Sequence, residues 1–328
     1  SSCGMWCGGI YRMRIQNCAF TGCSIALAGP PLSESSKGLP VLTGLFEVGE
    51  DVEFFTSHSI ENNTVNGKPL FYAVSQAIVR VPEGVGQIIC CGCDEVIVSN
   101  ADVSGGSMGM VLVYNRSIYL ENCRADRCGV FGIYVAKCDG GLLKGCFAEY
   151  SNHALDIRAS QNMTLLNCSA RDCDQGLFFS LIQDSEMVDC TVTATGQGFF
   201  MAAGSGNALL GCSAVECENG YNLQKEGDVL MIGCRAEGCT VCGVRLDATP
   251  LRFINNTLKG NWVGAMTYGG KPVEMAGNLF EGNQGCALYL RDIAFSRFAG
   301  NTFSGNVQAS VQVFGTLGGS VWVNNVLD

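Results

Sequence analysis

The chain is poor in charge and nearly lacks histidine. Asp, Glu, Lys and Arg make up only 15% of its 328 residues, and His58 and His153 are its only imidazoles. A copper or zinc centre built on imidazole or on Met and His clusters is therefore poorly supplied, and no cofactor is expected. Lys and Arg number 20 against 30 Asp and Glu, a formal net charge of −10. The basic face that nucleic acid or an anionic membrane requires is missing. No apolar run approaches the ~18 to 20 residues that cross a bilayer, so no transmembrane segment is expected. No stretch of ten residues carries a helical period, which disfavours leucine-rich and helical solenoids. The opening SSCGMWCGG also lacks the charged start and apolar centre of a signal peptide; it suits a cytosolic start or an end left by cleavage.

Glycine, by contrast, numbers 43, and apolar residues reach 47%. That balance suits a solid core with many tight turns and excludes disorder. Twenty cysteines would ordinarily indicate an oxidising compartment and a disulfide framework. Their spacing points elsewhere. Cys123, Cys146, Cys168, Cys190, Cys212 and Cys234 follow one another at 23, then 22 residues, and the beat continues in Asn256, Asn278, Asn301 and Asn324. Read backwards it reaches Asn100, then Asn63 and Cys18. A period near 22 kept over so many steps indicates a solenoid.

A second column runs five residues behind, in phrases such as NCRADRC, GCRAEGC and GNLFEGN. Cys and Asn replacing each other implies a small side chain in a tight turn, where Asn bonds backbone groups left unpaired. Three residues ahead of the first column lies an apolar one that includes Ile97, Leu120, Leu143, Leu165, Met187, Leu209, Met231, Phe253, Met275, Phe298 and Val321. After the second column comes an alternating strand, as in GIYVA, GLFFS and GFFMA, whose period of two places one face inside. The expected fold is all-β: one right-handed parallel β-helix of about a dozen coils over residues 1–328. The regularity breaks at a Pro- and Ser-rich insertion at about 28–52 and at an excursion at about 64–92.

The run NNTVNGKPLFYAV, with Gly86, Gln87 and Asn100 beyond it, resembles the NosD-like group of β-helices, also called carbohydrate-binding and sugar-hydrolase (CASH) domains. The resemblance implies a β-helix of a surface or envelope protein, similar to surface or sheath proteins of methanogenic archaea. The NosD name also implies copper delivery, from which the shortage of His and Met clusters departs.

For an enzyme acting on acidic polysaccharides, the best constellation is His153, Asp156 and Arg158 in NHALDIR, an acid, a base and a cation within one strand. Surface polar residues are the simpler reading, since Tyr134 and Phe178 share their outward column and no run of carboxylates forms. Metal binding by the cysteines is opposed by their ladder positions, where small buried thiols fill turns. Cysteines off the ladders, namely Cys3, Cys7, Cys90, Cys91, Cys93, Cys138, Cys242 and Cys286, are the candidates for disulfides. Among the sequons, Asn115 and Asn162 are candidate glycan acceptors, while Asn167 and Asn255 sit beside ladder turns and should be poorly accessible.

The first coil begins near residue 10 and the last runs to residue 328, so both ends read as uncapped strand edges. Ile10, Met13, Val321, Trp322 and Val323 are the expected assembly edges, and the outward Tyr134, Phe178, Phe200, Met266 and Tyr289 a lateral contact surface. The leading expectation is a self-assembling structural protein, a sheath or surface layer at the cell envelope or outside the cell. Its partner would be itself, held by cysteine crosslinks, with cell-surface glycans a further possible partner. The competing expectation is a secreted or surface protein that binds or processes polysaccharide.

Overall fold

The residue just before each ladder position has a backbone reason to be Asn, Asp or Gly. Asn122, Asn167, Asp189 and Asn255 have φ of 53, 52, 51 and 54°, and Gly145, Gly211, Gly233 and Gly277 have 62, 62, 63 and 65°. This left-handed conformation costs Gly nothing and Asn or Asp less than other residues. It bends the chain from one strand into the next. Repeating that bend yields the all-β parallel β-helix seen in the computed structural model, which describes residues 4–28 and 51–328. Most of the insertion at about 28–52, and Cys3, lie outside the described residues. The chain divides into two compact units, residues 1–160 and 161–328.

The second unit is the more regular. Parallel strands add one per coil to three sheets, and side chains stack on their counterparts 21 to 24 residues away, most often 22. Leu165, Met187, Leu209, Met231, Phe253, Met275 and Phe298 align in register and are at most 1% exposed. On a second sheet Ala214, Ala236, Leu258, Phe280 and Phe303 do the same. Rings stack along such columns: Phe199 on Tyr221 in the third sheet at 4.7 Å and Phe280 on Phe303 at 4.8 Å between centroids. That spacing matches the rise between parallel strands.

In the first unit the strands Lys68–Val74, Gln87–Cys91, Met108–Val113, Phe131–Ala136 and His153–Arg158 form one parallel sheet, with Ile78–Arg80 opening another. The expected excursion at 64–92 is therefore corrected: it is largely a regular coil. What breaks the period is a hairpin, in which Thr64–Val65 runs antiparallel to Lys68–Val74 about Asn66 and Gly67. Their φ values of 51 and 77° suit an Asn-Gly turn.

The start of the chain contributes more than a terminal coil. Strand Met5–Gly8 pairs with Ile25–Ala28, and with the short helix Glu53–Thr56 they pack on the outer face of the large sheet. Leu27, Phe54 and Phe55 bury Ile89, Cys91, Val111, Val113 and Tyr134 there. The Gln87 side chain clips this cover in place, accepting from the Ile25 N–H at 3.2 Å and donating to its carbonyl at 2.6 Å. The Ser24 hydroxyl adds contacts to the Met108 carbonyl and N–H. Among the described strands Arg14–Gln16 and Ala19–Phe20 pair on one side only, but the named edge residues are corrected: Ile10 is exposed and Met13 partly so, and neither lies on a strand.

Several columns shift by one residue. Val98, not Ile97, pairs with Leu120, and Trp322, not Val321, pairs with Phe298. Asn100 and Asn324 have φ of 54 and 53° and belong to the bend, while Asn325 continues the ladder.

Candidate functional site

The turn ladders are hydrogen-bonding devices. Asn278 Oδ1 accepts from the Asn256 N–H at 2.8 Å, and Asn278 Nδ2 donates to the Phe253 carbonyl at 2.8 Å. Asn256, Asn301 and, on the second ladder, Asn261 and Asn283 repeat the pattern. Where cysteine stands instead, the thiol keeps the donor half. Cys190, Cys212 and Cys234 place Sγ 3.3, 3.2 and 3.3 Å from the carbonyls of Leu165, Met187 and Leu209. In the first unit Cys123 and Cys146 do so more loosely, at 3.8 and 3.9 Å. Cys168 is buried at 1% exposure. Neighbouring thiols, then burial, push Cys212 far above the ordinary thiol range.

Two further ladders escaped the sequence reading because their residue types vary. One uses Asn115, Ser160, Glu226 and Thr249, which accept from the N–H groups of Cys93, Cys138, Gly204 and Glu226. The other uses Ser185, Asn207 and Ser296. Asn115 is consequently 1% exposed and donates to the Cys90 carbonyl, so it is corrected as a glycan acceptor. Asn162 is exposed. So are Asn167 and Asn255, against the expectation, because they stand on the bend and not in the ladder.

His153, Asp156 and Arg158 come together, but inside the protein. Asp156 is 0% exposed and takes two 2.7 Å bonds from the Arg158 guanidinium, with His153 Nδ1 2.9 Å away. Phe131 lies 4.9 Å from His153 between ring centroids, and Arg158 sits over Phe131 and Tyr134. Burial works to raise the Asp156 pKa, yet the Arg158 charge and bonds and the His153 contact outweigh it and hold the carboxyl below its ordinary value. A substrate has no access to such a group, so the catalytic alternative is corrected to a buried ion cluster. Burial likewise removes most crosslink candidates. Cys7, Cys90, Cys91, Cys93, Cys138, Cys242 and Cys286 are each at most 3% exposed, so none of these seven presents its sulfur to another molecule.

The open surface lies on the second unit. Phe178, Phe200, Asn222, Arg245, Met266, Tyr289 and Gln312 align on the outer face of the strands from Gln175–Ser180 to Ala309–Phe314. Beside them run Ser180, Ala202, Gln224, Asp247 and Tyr268. All but the buried Asn222 are partly exposed. Tyr134, by contrast, is 1% exposed and is corrected as part of a lateral surface. Phe178 stacks on Phe200 at 4.5 Å, and Tyr289 lies 5.8 Å from Tyr268 and 5.0 Å from Phe314. Between these rings, Asn222 donates to Gln197 at 2.8 Å and accepts from Gln224 at 3.1 Å. The Arg245 guanidinium lies 6.0 Å over the Tyr268 ring.

Comparison with known proteins agrees with the architecture. The model of the right-handed β-helix region matches residues 86–223, and that of the periplasmic copper-binding protein NosD matches 174–328. This chain is a NosD-like right-handed β-helix protein. Among solved structures, this NosD-like chain is similar to a rhamnogalacturonan lyase at 12% identity and TM-score 0.46, covering 72% of this chain and 79% of that one. It is also similar to the A-module of the Azotobacter vinelandii mannuronan C-5 epimerase AlgE6 at 13% and 0.44, covering 83% and 85%. Pectate lyase Pel9A gives 13% and 0.41, covering 94% and 80%. None of the curated proteins matches the chain. The copper of the family name does not fit the residues present. Among the described residues no three His, Cys, Asp or Glu side chains converge. His58 accepts from the Met13 N–H and contacts the Phe54 carbonyl, and His153 adjoins Asp156. No helix is long and apolar enough to cross a membrane among the described residues.

Proposed function

We propose that this protein is a non-catalytic glycan-binding β-helix of the cell envelope or cell exterior, and that the outer face of its second unit holds the glycan. The observation that carries this reading is the composition of that face, where rings and amides share one line of strands. Aromatic faces cover the C–H surfaces of a sugar, and amides answer its hydroxyls, so a mixed ribbon suits a saccharide better than an apolar partner. A periplasmic family supports the location. The burial of His153 and Asp156, with Arg158 tied to the Asp156 carboxylate, supports binding over processing.

Affinity electrophoresis of wild-type protein and a F200A/Y289A double variant through gels containing neutral and acidic polysaccharides tests the proposal. Retardation of the wild type by at least one glycan, lost in the variant while its melting curve is kept, is the expected outcome. Equal mobility of both proteins in every gel contradicts it.

A second reading, self-assembly through a strand edge, is favoured by one observation. Val321, Val323, Val326 and Leu327 are 38–59% exposed and Trp322 36%, an apolar surface that another coil would cover. Sedimentation of wild type against V323P separates the two readings: polymers that vanish in V323P favour assembly, since proline removes a ladder donor.

A further inference from the structure

Arg245 stands on the open face of the second unit with a donor that the fold does not use. Its Nε is buried and has no hydrogen-bond partner, and among the described residues no carboxylate lies within ion-pair distance. Asp247 shares its strand and face yet makes no such pair with it. The guanidinium instead rests over the Tyr268 ring, between Asn222 and Met266 in its column. A cation–π contact engages the flat of the guanidinium and leaves its edge, the N–H fork, without an acceptor. A buried N–H without an acceptor is costly, and the planar fork of Arg fits two carboxylate oxygens side by side.

We propose that Arg245 anchors the carboxylate of a hexuronate unit in an acidic polysaccharide, whose sugar rings run along Tyr268 and Tyr289. This rests on the glycan reading of the same face. A neutral sugar hydroxyl would satisfy one N–H but leave the guanidinium charge unmatched, whereas a carboxylate satisfies both. The protein's net charge of −10 opposes long-range capture of a polyanion. Recognition is therefore local, set by the fork and not by the overall field.

The test measures, by isothermal titration, binding of polygalacturonate and of its fully methyl-esterified form to wild type, R245A and R245K. Wild type should bind the free acid about tenfold or more tightly than the ester, as expected of a charge-assisted bidentate pair. R245A should lose that preference, binding acid and ester alike, while retaining its melting temperature. R245K keeps the charge without the fork and should lose most of the preference, which decides the matter even if R245A folds poorly. A preference that survives in both variants, or wild type binding both forms equally, overturns the role of Arg245 and leaves the glycan reading standing. Absence of binding to either form and to every neutral glycan overturns both.

Discussion

The same strand face meets two fates in this protein. In the first unit the outward residues are Ile89, Cys91, Val111, Val113 and Tyr134, all at most 1% exposed beneath the cover formed by residues near Ile25, Leu27 and Phe55. In the second unit the outward residues become Phe200, Asn222, Gln224, Arg245, Asp247 and Tyr268, most of them partly exposed. A face that is mostly apolar is one that the chain packs on, and the carboxylate in that column, Asp156, is paired with Arg158 and His153. A face that mixes rings, amides and a guanidinium is one it leaves for something wetter, and the covered face therefore argues against an apolar protein partner for the open one.

The largest expected effect breaks the covered side. Arg158→Ala leaves the Asp156 carboxylate buried without its cation and should cost about 3–5 kcal/mol in chemical unfolding. Phe55→Ala, which opens the cover, should cost about 3–5 kcal/mol. Phe200→Ala on the partly exposed face should cost about 1 kcal/mol or less while reducing glycan retention. Similar losses of stability at Phe55 and Phe200 would erase the distinction between the two faces.

The ladders sharpen a second contrast. Asn278→Ala strips an acceptor from the Asn256 N–H and a donor from the Phe253 carbonyl. Each buried group left unpaired costs about 1–3 kcal/mol. Cys190→Ala removes only a weak thiol donor and should cost less. If the cysteine variant is the less stable of the two, the thiols do more than fill the turn.

The smallest effect is in pH dependence, and the two buried carboxyls have opposite signs. Asp156 is held below its ordinary value, so its contribution is present above the unfolded-state pKa and is lost as pH falls through the lower folded one. Glu226 is raised by burial, which its bonds from Gly204 and Asn207 only partly offset. Its folded form holds the proton more tightly, so stability falls as pH rises from the unfolded carboxyl value through the raised one. Melting curves of Glu226→Gln across that window should be flatter than wild type. Unchanged slopes would mean that Glu226 titrates normally.

Much of this was legible because a β-helix writes itself into the sequence one coil at a time. The inner columns from Leu165 to Phe298 and the ladder from Cys168 to Asn301 could be read from spacing alone. Off-by-one errors arose where Asn serves in both the bend and the ladder, as at Asn324 and Asn325, because periodicity does not separate adjacent identical residues. The varied ladder through Ser160, Glu226 and Thr249 carries no repeated letter, only a repeated acceptor 22 or 23 residues on. The cover over the first unit has no period at all. Its contacts, such as Ser24 with Met108, join segments 84 residues apart, and nothing in the local pattern of Ile25–Ala28 says which surface it will meet.

The central claim is that the open face of the second unit holds the glycan, and hydroxyl-radical footprinting with and without polygalacturonate tests it directly. Protection should fall on Phe178, Phe200, Met266, Tyr268 and Tyr289, with Tyr134 silent in both states and Trp322 unchanged. Protection confined to Val321–Leu327, or none on the open face while polygalacturonate is bound, would contradict it.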